Sequence, residues 1–283
     1  MKKSNGSYRG NGQDRTGAGW QAGLALLGML ACGVASGQQG VHPGLTDRFT
    51  IQIGAYAPQA DTTAFLNSST LARGTSISFE DDLNLTDRKT VPAILGSWRF
   101  GEKWRVEAEY FTLHRSGARA LARTINWGDN TYTVGTTVNS EFNTDIYRLS
   151  VGYSFIKDDK AEVGVVLGAH VTDFKISLSA PNIGGQKGDT LAPLPTIGLY
   201  GAYALTPRWL LSGRIDYFSL NYDEYDGELV NVNVGVDYRV ARNIAIGLGY
   251  RYVDYDLTVS KNKFNGGVTY KFNGPTVYLI GSF

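Results

Sequence analysis

The segment WRFGEKWRVEAEYF, residues 98–111, constrains this chain more than any other stretch. After Gly-Glu-Lys, Arg105, Glu107 and Glu109 alternate with Val106, Ala108 and Tyr110. Strict alternation describes a strand with one polar and one apolar face. Two arrangements satisfy it. In one, the apolar face packs in a core and the charges meet water. In the other, the charges line a closed interior and the apolar face turns outward.

The same grammar recurs in LGSWRFGEKWRVEAEYF (95–111), YRLSVGYSFIKDDKAEVGVVLGA (147–169), YGAYALTPRWLLSGRIDYF (200–218) and NVGVDYRVARNIAIGLGYRY (233–252). Each is two alternating runs joined by a short, charge-rich turn, as a hairpin requires. A single run, DRFTIQIGAYA (47–57), precedes the set and another, GPTVYLIGSF (274–283), follows it. The sum is about ten antiparallel strands, with eight to twelve as the range and both ends on the short-turn side. Longer polar segments, 58–89, 115–143, 173–194, 220–228 and 256–272, lie between the units and read as loops, some of them able to prolong the strands. Short turns on one side and long loops on the other, with an even strand number, are the pattern of a transmembrane barrel.

The polar face decides between the two arrangements. It offers six cations, Arg99, Arg105, Arg148, Arg214, Arg239 and Arg251, and five anions, Glu107, Glu109, Glu162, Asp216 and Asp237. Every cation is Arg, whereas Lys falls in turns and loops. Water would accept either, but restricted space favours the planar, multi-donor guanidinium. Small residues (Ser150, Gly152, Gly164, Gly198, Asn231, Gly247) fit between these charges. The opposite face is aliphatic in mid-strand, with Trp, Tyr and Phe toward the strand ends, as two membrane interfaces would select. A closed barrel also satisfies every backbone group without water. The expected fold is therefore an all-β, transmembrane, antiparallel up-and-down β-barrel with short periplasmic turns and long extracellular loops. His170 falls on the lumen side and is expected in the polar network.

The N-terminus fits this location. Lys2, Lys3, Arg9 and Arg15 precede WQAGLALLGMLACGVASG (20–37), a charged region, apolar run and small-residue site like those of a secretory signal. Cleavage is placed after Gly37, with Ala35 three positions before the cut. The expected organisation is a signal peptide at 1–37, a periplasmic segment at 38–46 and the barrel at 47–283. Cys32 after GMLA faintly matches a lipoprotein site, but is expected to leave with the signal. No stretch after residue 40 is apolar for 18 residues, so no helical span is expected.

Composition excludes other classes. Lys+Arg of 27 against Asp+Glu of 26 gives no basic excess for nucleic acid. One Cys and three His leave no disulfide framework and little for metal chemistry, so no cofactor or metal is expected.

The last strand, alternately apolar and ending in Phe283, resembles the C-terminal assembly signal of Gram-negative outer-membrane β-barrel proteins. FEDDLNL…TVPAILGSWRFGEKWRVEAEYFTLHRSG (79–117) is similar to a segment of uncharacterised proteobacterial outer-membrane barrels. The resemblance implies location in that membrane, assembly by the barrel-assembly machinery, and outer-membrane lipids and lipopolysaccharide as partners.

Two stretches invite chemistry. FTLHRSGA (111–118) is similar to the His-x-Ser stretch of lipid A 3-O-deacylases, which would make His114 a base for Ser116. That family's Asn after the Ser is Gly117 here, its acid has no clear match, and Asp129 is the nearest acid downstream. The simpler reading is a strand-end His at the lipid headgroup level. The acids of EDD (80–82), DEYD (223–226) and DYD (254–256) resemble the paired rim acids of omptin-type proteases, or could hold Ca²⁺. Solvated loop charge explains them more simply. NIGGQKGD (182–189) follows no buried parallel strand and opens no helix, so it reads as a flexible loop rather than a phosphate cradle. The expected function is an integral outer-membrane barrel, structural or a narrow passive channel for small solutes. A lipid-modifying enzyme and a surface-binding or adhesion protein acting through the loops are the alternatives.

Overall fold

A computed structural model describes residues 41–68, 74–222, 225–261 and 264–283. The signal-peptide region, with Cys32, Ala35 and Gly37, lies outside these residues. The described chain is almost wholly strand, and none of its helices is long and apolar enough to cross a membrane.

The strands are β1 (Phe49–Tyr56), β2 (Gln59–Leu66), β3 (Ile77–Ser78), β4 (Val91–Phe100), β5 (Trp104–Ala120), β6 (Ile125–Trp127), β7 (Asn130–Tyr132), β8 (Thr137–Lys157), β9 (Ala161–Ala180), β10 (Gly184–Ala204), β11 (Trp209–Tyr222), β12 (Tyr225–Ala241), β13 (Ile244–Lys261) and β14 (Phe264–Ser282). Two one-turn helices, α1 (Pro43–Thr46) and α2 (Phe79–Leu83), complete the set. The order β1-β4-β5-β8-β9-β10-β11-β12-β13-β14 closes on itself through β1 and β14, an antiparallel ring of ten. The carbonyl of Phe283 accepts from the backbone N–H groups of Arg48 and Phe49, which ties the last residue to the first strand.

β1 and β2 are one strand with a break. Tyr56 opposes Thr276 and Gln59 opposes Asn273, so the register against β14 is unchanged across Ala57–Pro58. Pro58 has no N–H for the ladder, which interrupts it there. The partner at this point is Gly274, where any Cβ would collide with the carbonyl oxygen of Ala57.

The segments that read as loops are in large part strand. A transmembrane strand needs about ten residues, whereas β8 and β10 have 21 and β9 has 20. NIGGQKGD belongs to this extension. Only its start is a turn, and Gly184 onward pairs with β9 as part of β10. Above the ring the wall divides. β10 pairs with β11 only from Ile197 to Ala204, while residues 184–196 pair with β9 alone. Pro193 and Pro195 sit on this unpaired edge, where a missing N–H costs nothing. On the other side β4 stops at Val91, and β3 and α2 fill the gap between β2 and β5. The extension thus comprises two facing sheets, β5-β8-β9-β10 and β11-β12-β13-β14-β2.

Side-chain chemistry inverts between ring and extension. In the ring the outward residues are apolar and exposed: Ile51, Ile53, Leu149, Val151, Leu167, Leu248 and Leu279 among them. In the extension the inward residues are mainly apolar, with Arg115 and a few Ser and Thr among them. Phe142 of β8 meets Tyr270 of β14 at 5.1 Å between ring centroids, and Phe174 of β9 meets Tyr255 of β13 at 6.0 Å. Trp127 of β6, with Phe79 and Leu83 of α2, adds to this core. α2 is held by Ser78, whose hydroxyl accepts from the Asp81 N–H as an N-cap, and ends at Asn84 in the left-handed region.

Candidate functional site

Three levels of side chains occupy the interior. The lowest lies at the periplasmic mouth. There His42 caps α1 by accepting from the Gly44 N–H at 3.0 Å, and Leu45 is fully buried. Asp47 lies 3.6 Å from Arg239, whose guanidinium also donates to the Arg242 carbonyl. Asp237, just above, accepts from the Tyr278 hydroxyl at 2.8 Å. Burial and the Arg239 charge hold His42 below its ordinary pKa.

The middle level is an ion network drawn from eight strands. Alternation puts Arg105, Glu107 and Glu109 of β5 on the inner face, and the same parity brings in Arg99, Arg148, Glu162, His170, Arg214, Asp216 and Arg251. Arg251 on β13 grips Glu109 on β5 with both terminal nitrogens, at 2.7 and 3.2 Å. Arg148 approaches the same carboxylate at 2.9 Å and Asp216 at 3.5 Å. Arg214 chelates Asp216 at 2.7–2.9 Å and donates across the bore to Glu107. Arg99 on β4 forms a two-pronged pair with Glu162 on β9, at 2.7 and 3.0 Å. β4 and β9, β5 and β11, and β5 and β13 are not neighbours in the ring, so these pairs span the bore. His170 is wholly buried with Nε2 3.8 Å from Asp216. The twelve residues selected by alternation therefore fall into two groups, since Asp237 and Arg239 belong to the mouth and not to this network.

Alternation by charge alone missed several members. Tyr200 lies under the Arg105 guanidinium at 3.5 Å and shares a 2.8 Å hydrogen bond with Ser154. Asn231 donates to Asp216 at 2.8 Å and accepts from Arg251 at 2.9 Å. Arg251 also lies 4.8 Å from the centroid of Phe111, the first ring of the upper core. Inside that core Arg115 is buried, pairs with Glu80 and lies 5.3 Å from the Phe142 ring. Its parity with Arg105 was the signal that could have found it.

His114 and Ser116 face outward on β5. The acid beside His114 is Asp145, at 3.3 Å, and not Asp129, which accepts from Ser68 at 2.6 Å in the β6–β7 turn. Thr112 lies 2.8 Å from the same Nε2 atom of His114. A triad needs the acid on one ring nitrogen and the nucleophile on the other; here both partners share one nitrogen, and neither is Ser116. The rim acids form no single set. Asp223 and Glu224 lie outside the described residues. Asp226, Asp254 and Asp256 gather on the β12–β13 wall, away from the acids of α2, where burial and then the other two charges raise the Asp256 pKa. Glu80 turns inward to Arg115, Asp82 pairs with Arg123 at 2.7 Å, and Asp254 faces Lys271 at 3.2 Å on another wall. Among the described residues no cluster of His, Cys, Asp and Glu is set to hold a metal ion.

A family model described as the outer membrane protein beta-barrel domain matches residues 22–272. The chain belongs to that family. It is accordingly a protein of the Gram-negative outer membrane. Among solved structures, the outer-membrane protease OmpT of Escherichia coli is 15% identical and superposes with a TM-score of 0.59, over 84% of this chain and 97% of that one. The toluene transporter TbuX of Ralstonia pickettii is 11% identical, with a TM-score of 0.37 over 87% and 92% of the two chains. The attachment invasion locus protein Ail of Yersinia pestis is 9% identical, with a TM-score of 0.35 over 82% and 99%. At these identities the OmpT likeness is one of fold. No curated protein matches the chain.

Proposed function

We propose that this outer-membrane barrel is structural and non-conducting, and that it carries a rigid β extension at the cell surface. The observation that supports this most is the set of Arg–carboxylate pairs crossing the bore, Arg251–Glu109 and Arg214–Glu107 above all. Ten strands enclose little more than their own side chains, and here those chains are locked in Arg–carboxylate pairs, five Arg against four carboxylates, and topped by a layer of aromatic rings. An ion entering would have to break several buried pairs, each costly to leave half-made. The passive-channel reading therefore has less support than the structural one. Reconstitution in planar bilayers tests it: a flat current trace is expected, and reproducible conductance steps from the purified protein would overturn the proposal.

The extension's polar exterior is compatible with surface binding. The lipid-modifying reading lacks an oriented base. The expectation is that lipid A from cells with and without the protein has the same acylation by mass spectrometry.

A further inference from the structure

The outer wall of the ring is not evenly covered. Gly96 on β4 opposes Ala108 on β5, which opposes Leu149 on β8. Two adjacent small residues, flanked in their row by Ile51 and Leu149, leave a groove of about 460 Å³, bounded by Ile94, Leu149 and Val171 and roofed by Tyr110 and Tyr147. The two tyrosines stack at 4.8 Å. This volume falls in the range of clefts that hold small ligands, and the groove lies within the apolar band, so what reaches it is a membrane lipid.

Directly above the roof the outward residues become polar. Thr112 opposes Asp145, and Asp145 opposes Asp173. Tyr110 reaches Asp145 at 3.5 Å. Asp145 is 3.3 Å from His114 and 3.7 Å from Lys175, which also pairs with Asp173 at 2.7 Å. Lys89 donates to the His114 carbonyl at 2.5 Å, so a second ammonium stands at the same level. Hydrogen bonding to Asp173 holds the Lys175 ammonium charged, with its pKa raised. An apolar slot under a mixed set of ammonium groups, carboxylates and hydroxyls matches one chemistry. The ammonium groups suit phosphate, the carboxylates accept from sugar hydroxyls, and the slot takes an acyl chain.

The geometry points to a specific binding site for a phosphorylated glycolipid of the outer leaflet on the β4-β5-β8-β9 wall. One acyl chain lies over Gly96 and Ala108, and the headgroup is held by Lys89, Lys175, His114 and Asp145. The site is independent of the bore, so it stands or falls apart from the non-conducting reading.

The test uses the full chain in detergent micelles, with bisphosphorylated lipid A as the probe and phosphatidylethanolamine as the comparison, read by native mass spectrometry. Gly96→Leu fills the slot, and the fold should tolerate it because a Cβ there meets nothing within 4 Å. Gly281→Leu is the matched control, also free of neighbours within 4 Å and in the same row, but on β14, with Ile51 of β1 between it and Gly96 and outside the groove lining. Lys175→Ala removes an ammonium group. Wild type should bind lipid A in preference to phosphatidylethanolamine, and Gly96→Leu and Lys175→Ala should each weaken it about tenfold, which is about 1.4 kcal/mol. Gly281→Leu should bind as wild type does. Equal binding of the two lipids, an unchanged Gly96→Leu or Lys175→Ala variant, or an equal loss in Gly281→Leu would each overturn the proposal.

Discussion

On β5 the odd-numbered residues face inward along the whole strand, yet they change character at one point. Below the Tyr110–Tyr147 stack they are Arg105, Glu107 and Glu109; above it they are Phe111, Leu113 and Arg115. β13 does the same, with Gly247, Gly249 and Arg251 giving way to Val253, Tyr255 and Leu257. The pleat is continuous, so the change is one of solvent. Lipid around the ring requires apolar outer residues and pushes polar groups into the bore. Water around the extension removes that requirement, and the ordinary arrangement of a soluble protein returns, with aromatic residues inside and Asp, Lys, Ser and Asn outside. The two regions follow one rule applied against two solvents.

Breaking the ion network should have the largest effect. Glu109→Leu leaves Arg251 without its carboxylate and strips Arg148 of one of two partners, so a loss of about 3 to 5 kcal/mol is expected. A lowered urea midpoint, followed by the heat-dependent gel mobility of the folded barrel, would register it. Truncating the upper core comes next. Leu113→Ala should cost about 2 to 5 kcal/mol, but locally, so limited proteolysis should open the extension while the ring resists. If both regions unravel together, the division into two is wrong.

The outward face separates the solvents most sharply. Leu149 and Asn143 both point out from β8, one within the apolar band and the other above it. Leu149→Arg should cost about 2 to 4 kcal/mol, whereas Asn143→Arg should stay within about 0.5 kcal/mol. Equal costs would place the membrane boundary elsewhere. The smallest effect concerns the mouth. His42 is held below its ordinary pKa, so the unfolded chain takes up its proton first as pH falls. Stability of the α1 packing should therefore be full above the unfolded value near 6.5 and decline as pH drops below it. Proteolysis at residues 41–47 should be faster at pH 5 than at pH 7.5.

Much of the ring was legible residue by residue. The Arg-only polar face, the aromatic strand ends and the terminal Phe283 are local features, and parity carries each to its side of the wall. The extension was harder to read. In 173–194 the outward Asp173, Lys175 and Ser177 resemble loop polarity, although Phe174, Ile176 and Leu178 alternate with them and are buried. Gly184 and Gly185 look like a loop, yet pairing with β9 makes them strand. The candidate site divides in the same way. His114 was visible, but its partner Asp145 is remote in sequence and is set by the β5–β8 register.

By itself the sequence determined parity: which residues share a face, because a strand turns each successive side chain over. It also determined that the polar face chooses Arg, because confined carboxylates need several donors. Only the tertiary structure decided which charges meet. Glu109 and Arg251 lie 142 positions apart, and closure of the ring brings them together across the bore. It alone set Asp237 and Arg239 apart from the network and filled the upper bore with aromatic rings. Pairing across a closed sheet is fixed by register and ring size, and neither is written in any single strand.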